Sequence, residues 1–164
     1  LTRSSFDEFL EGNNEAISQN AKRGLVNFMN FGCSGCHTGM SVGGQSVQRF
    51  PLRHFAGIHD LRPNLGSPPD FEIIDETFPF ENKGGYKGRA DTQFFRVPIL
   101  RNITKTSPYF HNDSVDKIRE AVEIMGRHQV GLNLSNQQID EIVEFLKTLE
   151  GNIVDYSKDT KVNK

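Results

Sequence analysis

Two cysteines and a histidine fall inside one five-residue window, Cys33-Ser34-Gly35-Cys36-His37, and the chain has no other cysteine. Cysteines this close cannot staple distant segments, so a disulfide framework is excluded and their chemistry is local. Cys-x-x-Cys-His is the attachment signature of c-type haem: the two thiols reach the two vinyl groups of one porphyrin and the adjacent imidazole meets the iron. Cys33 and Cys36 are therefore the expected covalent anchors of one haem c, and His37 the expected proximal ligand. Two other readings compete. A structural zinc site wants four ligands, commonly in two separated pairs, and no second pair follows. A thioredoxin-like dithiol wants a strand before it in a parallel-sheet context, whereas the preceding segment is helical in period.

That helix is predicted from Ser18 to Phe31, with Ala21, Leu25, Phe28 and Met29 as its apolar face, Ser18 as N-cap and Gly32 as its stop. A shorter helix through Phe6, Phe9 and Leu10, closed by Gly12, precedes it. Residues 38 to 93 hold Gly43-Gly44, Pro51, Pro63, Pro68-Pro69 and Gly84-Gly85 with no sustained period, and read as a long loop region. A stretch of that length is unusual unless it wraps something that substitutes for a protein core. A porphyrin face would do so, with Phe50, Phe55 and Leu61 as candidates to bury around it. Regularity returns with Val115, Ile118, Val122 and Met125, a stripe at helical spacing preceded by Asp113 and Ser114 as cap candidates. Ser135-Asn136-Gln137-Gln138 then has capping-box form, and Ile139, Ile142, Val143, Leu146 and Leu149 mark a face that Gly151 ends. Residues 152 to 164 read as a polar tail. The fold class expected is all-α: a cytochrome c-like helical domain, residues 1 to 164, around one covalent haem, with a loop-rich middle.

The 35% hydrophobic fraction is modest, in keeping with a core that a haem supplements, and 164 residues suit one domain. A net charge of -2 gives no field to hold nucleic acid or an anionic membrane, and no apolar run approaches the roughly 20 residues that cross a bilayer. The start on Leu1 fits a mature, trimmed or excised segment of a longer precursor.

For the sixth iron ligand the residues leave alternatives open. Met125 lies on an apolar stripe, where a methionine is either core filler or a ligand. Met40 follows His37 too closely to reach the opposite face of the ring, and Met29 reads as core. His54, His59, His111 and His128 can each ligate iron in principle, although a lone histidine is more often a hydrogen-bonded structural residue. Buried haem propionates need cationic partners, for which Arg101 and then Arg96 are candidates; tying loops together is the competing role for either.

The segments Lys22-Arg23-Gly24-Leu25, Gly32-Cys33-Ser34-Gly35-Cys36-His37 with Gly43-Gly44-Gln45, and Phe95-Arg96-Val97-Pro98-Ile99-Leu100-Arg101-Asn102 carry a more specific signal than the haem motif. So do Thr106-Ser107-Pro108-Tyr109-Phe110-His111, Ala121-Val122-Glu123-Ile124-Met125 with Gln129, and the closing segment from Ile142 to Gly151. Together they resemble the C-terminal, electron-transfer domain of the bacterial di-haem cytochrome c peroxidases. The resemblance implies a high-potential haem with His37 and Met125 as axial ligands, and favours Arg101 as the propionate contact. It also implies calcium held by main-chain oxygens of Thr106 and Pro108, with a further ligand from another domain, and a periplasmic setting.

The family's peroxide-reducing haem uses a second Cys-x-x-Cys-His in an N-terminal domain, and these 164 residues contain one such motif. The expected function is thus electron entry: accepting electrons from a small donor cytochrome or copper protein and passing them to a peroxidatic haem in the N-terminal domain of the same polypeptide. The alternative is an autonomous monohaem electron carrier. Whether the chain by itself is an enzyme is left open.

Overall fold

The computed structural model describes residues 3–51 and 94–151. Four α-helices account for most of its regular structure: α1 (Ser5–Leu10), α2 (Gln19–Asn30), α3 (Ile118–Ile124) and α4 (Asn136–Lys147). The helical expectation holds, with one addition. A short antiparallel pair, β1 (Val47–Arg49) with β2 (Phe94–Arg96), joins Val47 to Arg96 and Arg49 to Phe94 on either side of residues 52–93. The rest of the predicted loop region, with Phe55, Leu61, His54 and His59, lies outside the described residues, as does the predicted tail.

Helix α2 begins where expected, with the Ser18 hydroxyl accepting the Ala21 amide at 3.1 Å. Its contact with α4 is backbone on backbone. Gly24 is buried midway along α2, and a Cβ there would lie 1.8 Å from the carbonyl oxygen of Glu141 and 2.9 Å from Cβ of Phe145. One turn on, Phe28 packs against the Phe145 ring at 5.2 Å between centroids, and Phe6 of α1 meets the same ring edge-on at 5.3 Å. Ile142, Leu146 and Leu149 complete this core with Val42 and Leu100 from the loops.

Beside it, the carboxylate of Glu141 is buried yet fully partnered, accepting from Arg23 Nε at 2.7 Å, Asn27 Nδ2 at 2.8 Å and Gln137 Nε2 at 3.1 Å. Those donors from Gln137, Arg23 and Asn27 outweigh its desolvation and hold its pKa below the ordinary glutamate value. Met29, expected in the core, is instead 57% exposed. The close approach at Gly24 draws α4 onto the Ala21, Gly24 and Phe28 side of α2, which turns Met29 outward.

At the C-terminal end, Ser135 and Gln138 form the expected capping box, with Ser135 N to Gln138 Oε1 at 2.8 Å. The helix stops at Lys147 rather than at Gly151, although Leu149 beyond it is fully buried. Helix α3 departs further from expectation. Val115 is not helical: its carbonyl accepts the Tyr109 amide at 2.7 Å in an isolated bridge, so the chain stays extended and α3 starts at Ile118. Asp113 and Ser114 are therefore not caps; Lys117 holds the N-cap position with no side-chain hydrogen bond. Arg119 fastens α3 to α4 through Asp140 at 2.9 Å and Asn136 at 2.6 Å.

Helix propensity alone makes Gly24→Ala stabilising by about 1 kcal/mol. The obstruction here is a backbone carbonyl that cannot swing aside, so the expected outcome is a net loss of roughly 2–3 kcal/mol, the upper range for overpacking. Urea unfolding of the haem-loaded protein reads the sign directly; an unchanged or raised midpoint would show that the helices do not cross at Gly24.

Candidate cofactor-attachment site

Helix α2 delivers the motif. Its last turn caps at Phe31, Gly32 turns the chain with φ of 90°, and Cys33–Gly35 form one 3₁₀ turn. The carbonyl of Cys33 accepts the amides of both Cys36 (3.2 Å) and His37 (3.0 Å). Residues three apart eclipse in such a turn, so the two cysteines are set on one side of it. Both are free thiols, and Cys33 also packs against the α2/α4 core.

Burial, with a smaller push from Cys36, raises the Cys33 thiol to about 11. That is the wrong direction for a redox dithiol, whose attacking sulfur is activated by a depressed pKa. Among the described residues no three His, Cys, Asp or Glu side chains converge as a metal-binding group.

His37 is held from the other side by the loop that follows it. Residues 40–44 are laced to residues 96–101: the Gly44 amide donates to Val97 O at 2.9 Å and the Leu100 amide to Val42 O at 3.2 Å. Two arginines complete the seam, Arg96 Nε to Gly44 O and Arg101 Nε to Met40 O, both at 2.7 Å. Gly43 sits in the middle with φ of 129°, and a Cβ there would meet Pro98 O at 2.1 Å and His37 Nδ1 at 3.3 Å. Only glycine allows the two backbones and the ring to approach so closely.

Inside this cradle desolvation lowers the His37 pKa, opposed by the nearby carbonyls of Pro98 and Val42. The neutral imidazole is thereby favoured, which is the form that binds iron. Nδ1 is buried and makes no hydrogen bond of full geometry, while facing carbonyls that can orient the ring once its other nitrogen is committed to a metal. Two thiols on a tight turn and a desolvated imidazole fit haem c.

The other expected site residues are placed as follows. Met125 is partly buried directly after α3, on the stripe whose Ile118 and Val122 pack on the same core as Cys33. A π-helical turn, Met125–Val130, begins at this residue. Met40 is 72% exposed. His111 stacks on Phe95 at 4.0 Å between centroids, and His128 is buried within the π turn.

Arg101 gives four of its five N–H donors to protein: one to Met40 O, one to Ser4 Oγ at 3.0 Å and two to the Asp7 carboxylate at 2.7 and 2.6 Å. It braces α1 against the loop after His37. Arg127, by contrast, has a buried Nε with no partner. Thr106 and Pro108 are exposed, with the Thr106 hydroxyl donating to Ile103 O at 3.0 Å. Pro98 was legible in sequence only as part of a resemblance, Gly43 as part of that resemblance and of a loop, Val42 not at all, and Asp7 not as a site residue; the Ser4-x-x-Asp7 capping box was the available signal for the last.

A helical domain closed around a Cys-x-x-Cys-His turn defines the c-type cytochrome class. The chain is 36% identical over 151 residues to cytochrome c551 peroxidase of Pseudomonas aeruginosa, 35% over 153 to that of Nitrosomonas europaea, and 31% over 156 to cytochrome c peroxidase Ccp of Escherichia coli. Over nine tenths of its length the chain is thus similar to the bacterial di-haem cytochrome c peroxidases. These matches cover 90%, 93% and 95% of the chain but 39%, 41% and 30% of the relatives, so it spans about two fifths of their length or less. The fold is shared with a MauG-like protein associated with microbial copper homeostasis, at TM-score 0.59 and 24% identity over 93% of this chain and 53% of that one. No protein-family model matches. No helix among the described residues is long and apolar enough to cross a membrane.

Asp7 supplies a pH-dependent test of the Arg101 brace. Partial desolvation pushes its pKa up, but hydrogen bonds from Arg101 and Ser4 prevail and hold it at about 2 against an ordinary 3.8. A lowered folded-state value means the stabilisation is present above about pH 4 and is lost as pH falls through 2. Asp7→Asn is expected to cost on the order of 2 kcal/mol at pH 7, a difference that narrows below pH 4 in urea unfolding. An equal cost at pH 7 and at pH 2.5 would remove the ion pair as its cause.

Proposed function

We propose that this chain is the electron-transfer domain of a di-haem cytochrome c peroxidase. The observation that carries the reading is the Cys33–Gly35 turn with the desolvated His37 beside it, taken with Met125 on the stripe that packs against the same core. Cys33 and Cys36 would anchor the porphyrin by thioethers, and His37 and Met125 would take the two axial positions. When bound, the haem supplies a one-electron iron couple, whose potential a methionine thioether raises relative to a second histidine.

The chain's own residues keep that group closed. The laced loops at 40–44 and 96–101 hold His37 against rotation, and the apolar core behind Cys33 excludes water. With His37 and Met125 both holding the iron, the haem would offer no open site to peroxide, and peroxide reduction would fall to a second haem in a neighbouring N-terminal domain. The electrons would come from a small donor cytochrome or copper protein, in the periplasm. Thr106 and Pro108 would offer main-chain oxygens to calcium, with the remaining ligands from water and that neighbouring domain.

Met125 decides between this closed centre and an open one. The oxidised haem-loaded chain is expected to show the weak far-red methionine-to-iron charge-transfer band, and Met125→Ala to abolish it and open the iron to exogenous ligands. A band that persists in the variant would assign the ligand elsewhere. Rapid peroxide turnover by the unaltered chain alone would sink the electron-transfer role.

A further inference from the structure

The π-helical turn that starts at Met125 is more tightly held than a core-filling methionine requires. A π turn closes i→i+5 bonds, one residue wider than an α turn, and such turns are rare and gather at functional sites. Here the carbonyl of Gly126 accepts the amides of both Gly131 and Leu132, the latter at 2.8 Å. Gly126 is buried, and a Cβ on it would lie 2.8 Å from Cδ1 and 3.0 Å from Cγ of Leu134. Leu134 cannot retreat freely, because it packs on the core that Phe28 and Cys33 share. At the far end of the turn the Gln129 side chain donates through Nε2 to the Arg49 carbonyl of β1 at 3.0 Å.

We propose that this turn is a positioning device and Gly126 a positioning residue: the absence of a side chain under Leu134 sets where the Met125 thioether sits. The inference rests on the reading of Met125 as the iron ligand and goes beyond it. Methionine has three rotatable bonds and adapts to irregular space, so as core filler it needs no fixed backbone. As a ligand it does, because a neutral thioether bonds iron weakly and a small displacement of its backbone favours dissociation. The sequence between Met125 and Leu134 thus carries a second requirement besides the methionine, a residue without Cβ directly after it.

The test uses the haem-loaded full chain in the oxidised state, with three readouts: the far-red band, the affinity for added imidazole and the thermal midpoint. Gly126→Ala is expected to dim the band and to tighten imidazole binding about tenfold, the scale of a strained core contact acting on the competing thioether. Gly126→Ala combined with Leu134→Ala makes room for the new methyl and is expected to return imidazole affinity to within about twofold of Leu134→Ala alone. A lower thermal midpoint in Gly126→Ala with band and affinity unchanged would mean a merely structural glycine and would overturn the proposal. So would a double variant that gains no recovery. If Gly126→Ala does not fold, the double variant against Leu134→Ala carries the comparison: equal band and affinity support the proposal, and a lost band overturns it. Met125→Ala separates the two levels, since a band retained there refutes the ligand assignment itself, whatever Gly126 does.

Discussion

The crossing of α2 over α4 at Gly24 is the constraint on which the rest of the arrangement depends. With no side chain between them, the carbonyl of Glu141 rests on the α2 backbone, and this fixes both the distance and the rotation of the helix that leads into Cys33. Phe28 and Phe145 then meet one turn later, and their cluster is the floor on which Cys33, Leu100 and Val42 pack. The buried Glu141 carboxylate adds direction to that apolar contact. Its three donors come from both helices, so sliding or rotating α2 would break hydrogen bonds to a carboxylate as well as apolar contacts.

From this floor the proximal side is built almost entirely from backbone. The seam between residues 40–44 and 96–101 uses main-chain amides and carbonyls, with two arginines clamping its ends. A histidine framed this way has little rotational freedom, because moving it means breaking several hydrogen bonds at once around the buried Val42, Gly43 and Val97. Arg101 extends the clamp to α1: Asp7 caps its own helix through Ser4 and at the same time takes two hydrogen bonds from the guanidinium. The chain's N-terminal helix and the loop after His37 are therefore one electrostatic unit, and Arg101 serves the ring through the loop it holds.

The sequence made the two long helices legible because their faces and caps are local. Ser18, Ser135 and Gln138 perform the roles their spacing implies, and Ile139, Ile142 and Leu146 line the buried face. What escaped was decided across the chain. Val115 has helical spacing from Ile118, yet a backbone bond to Tyr109 takes it out of the helix, and no side-chain pattern reports such a bond. The β1/β2 pair is three residues long and mostly exposed, too short for alternation to show. Arg101 announced a cation, but its anion lies 94 positions away in a helix cap. The Cys-x-x-Cys-His chemistry was plain from five residues, whereas the cradle around His37 depends on Gly43 meeting Pro98, a contact that spacing cannot encode.

The two sides of the centre are consequently secured by different physics. On the His37 side, the two proposed covalent anchors share one turn with the ligand and would make its position robust, so the surrounding hydrogen bonds would refine orientation more than prevent loss. On the proposed Met125 side no covalent tie would act, and a weak donor on a flexible side chain would depend on the structure around it to stay near the metal. A widened helical turn pressed under Leu134 and tied to β1 supplies rigidity where the ligand itself has least. It also connects the sides, since β1 runs back through Ser46 and Gly44 into the seam that frames His37. The proposed electron-transfer role would benefit from that linkage, because a displacement on one side would be resisted by the hydrogen bonds of the other.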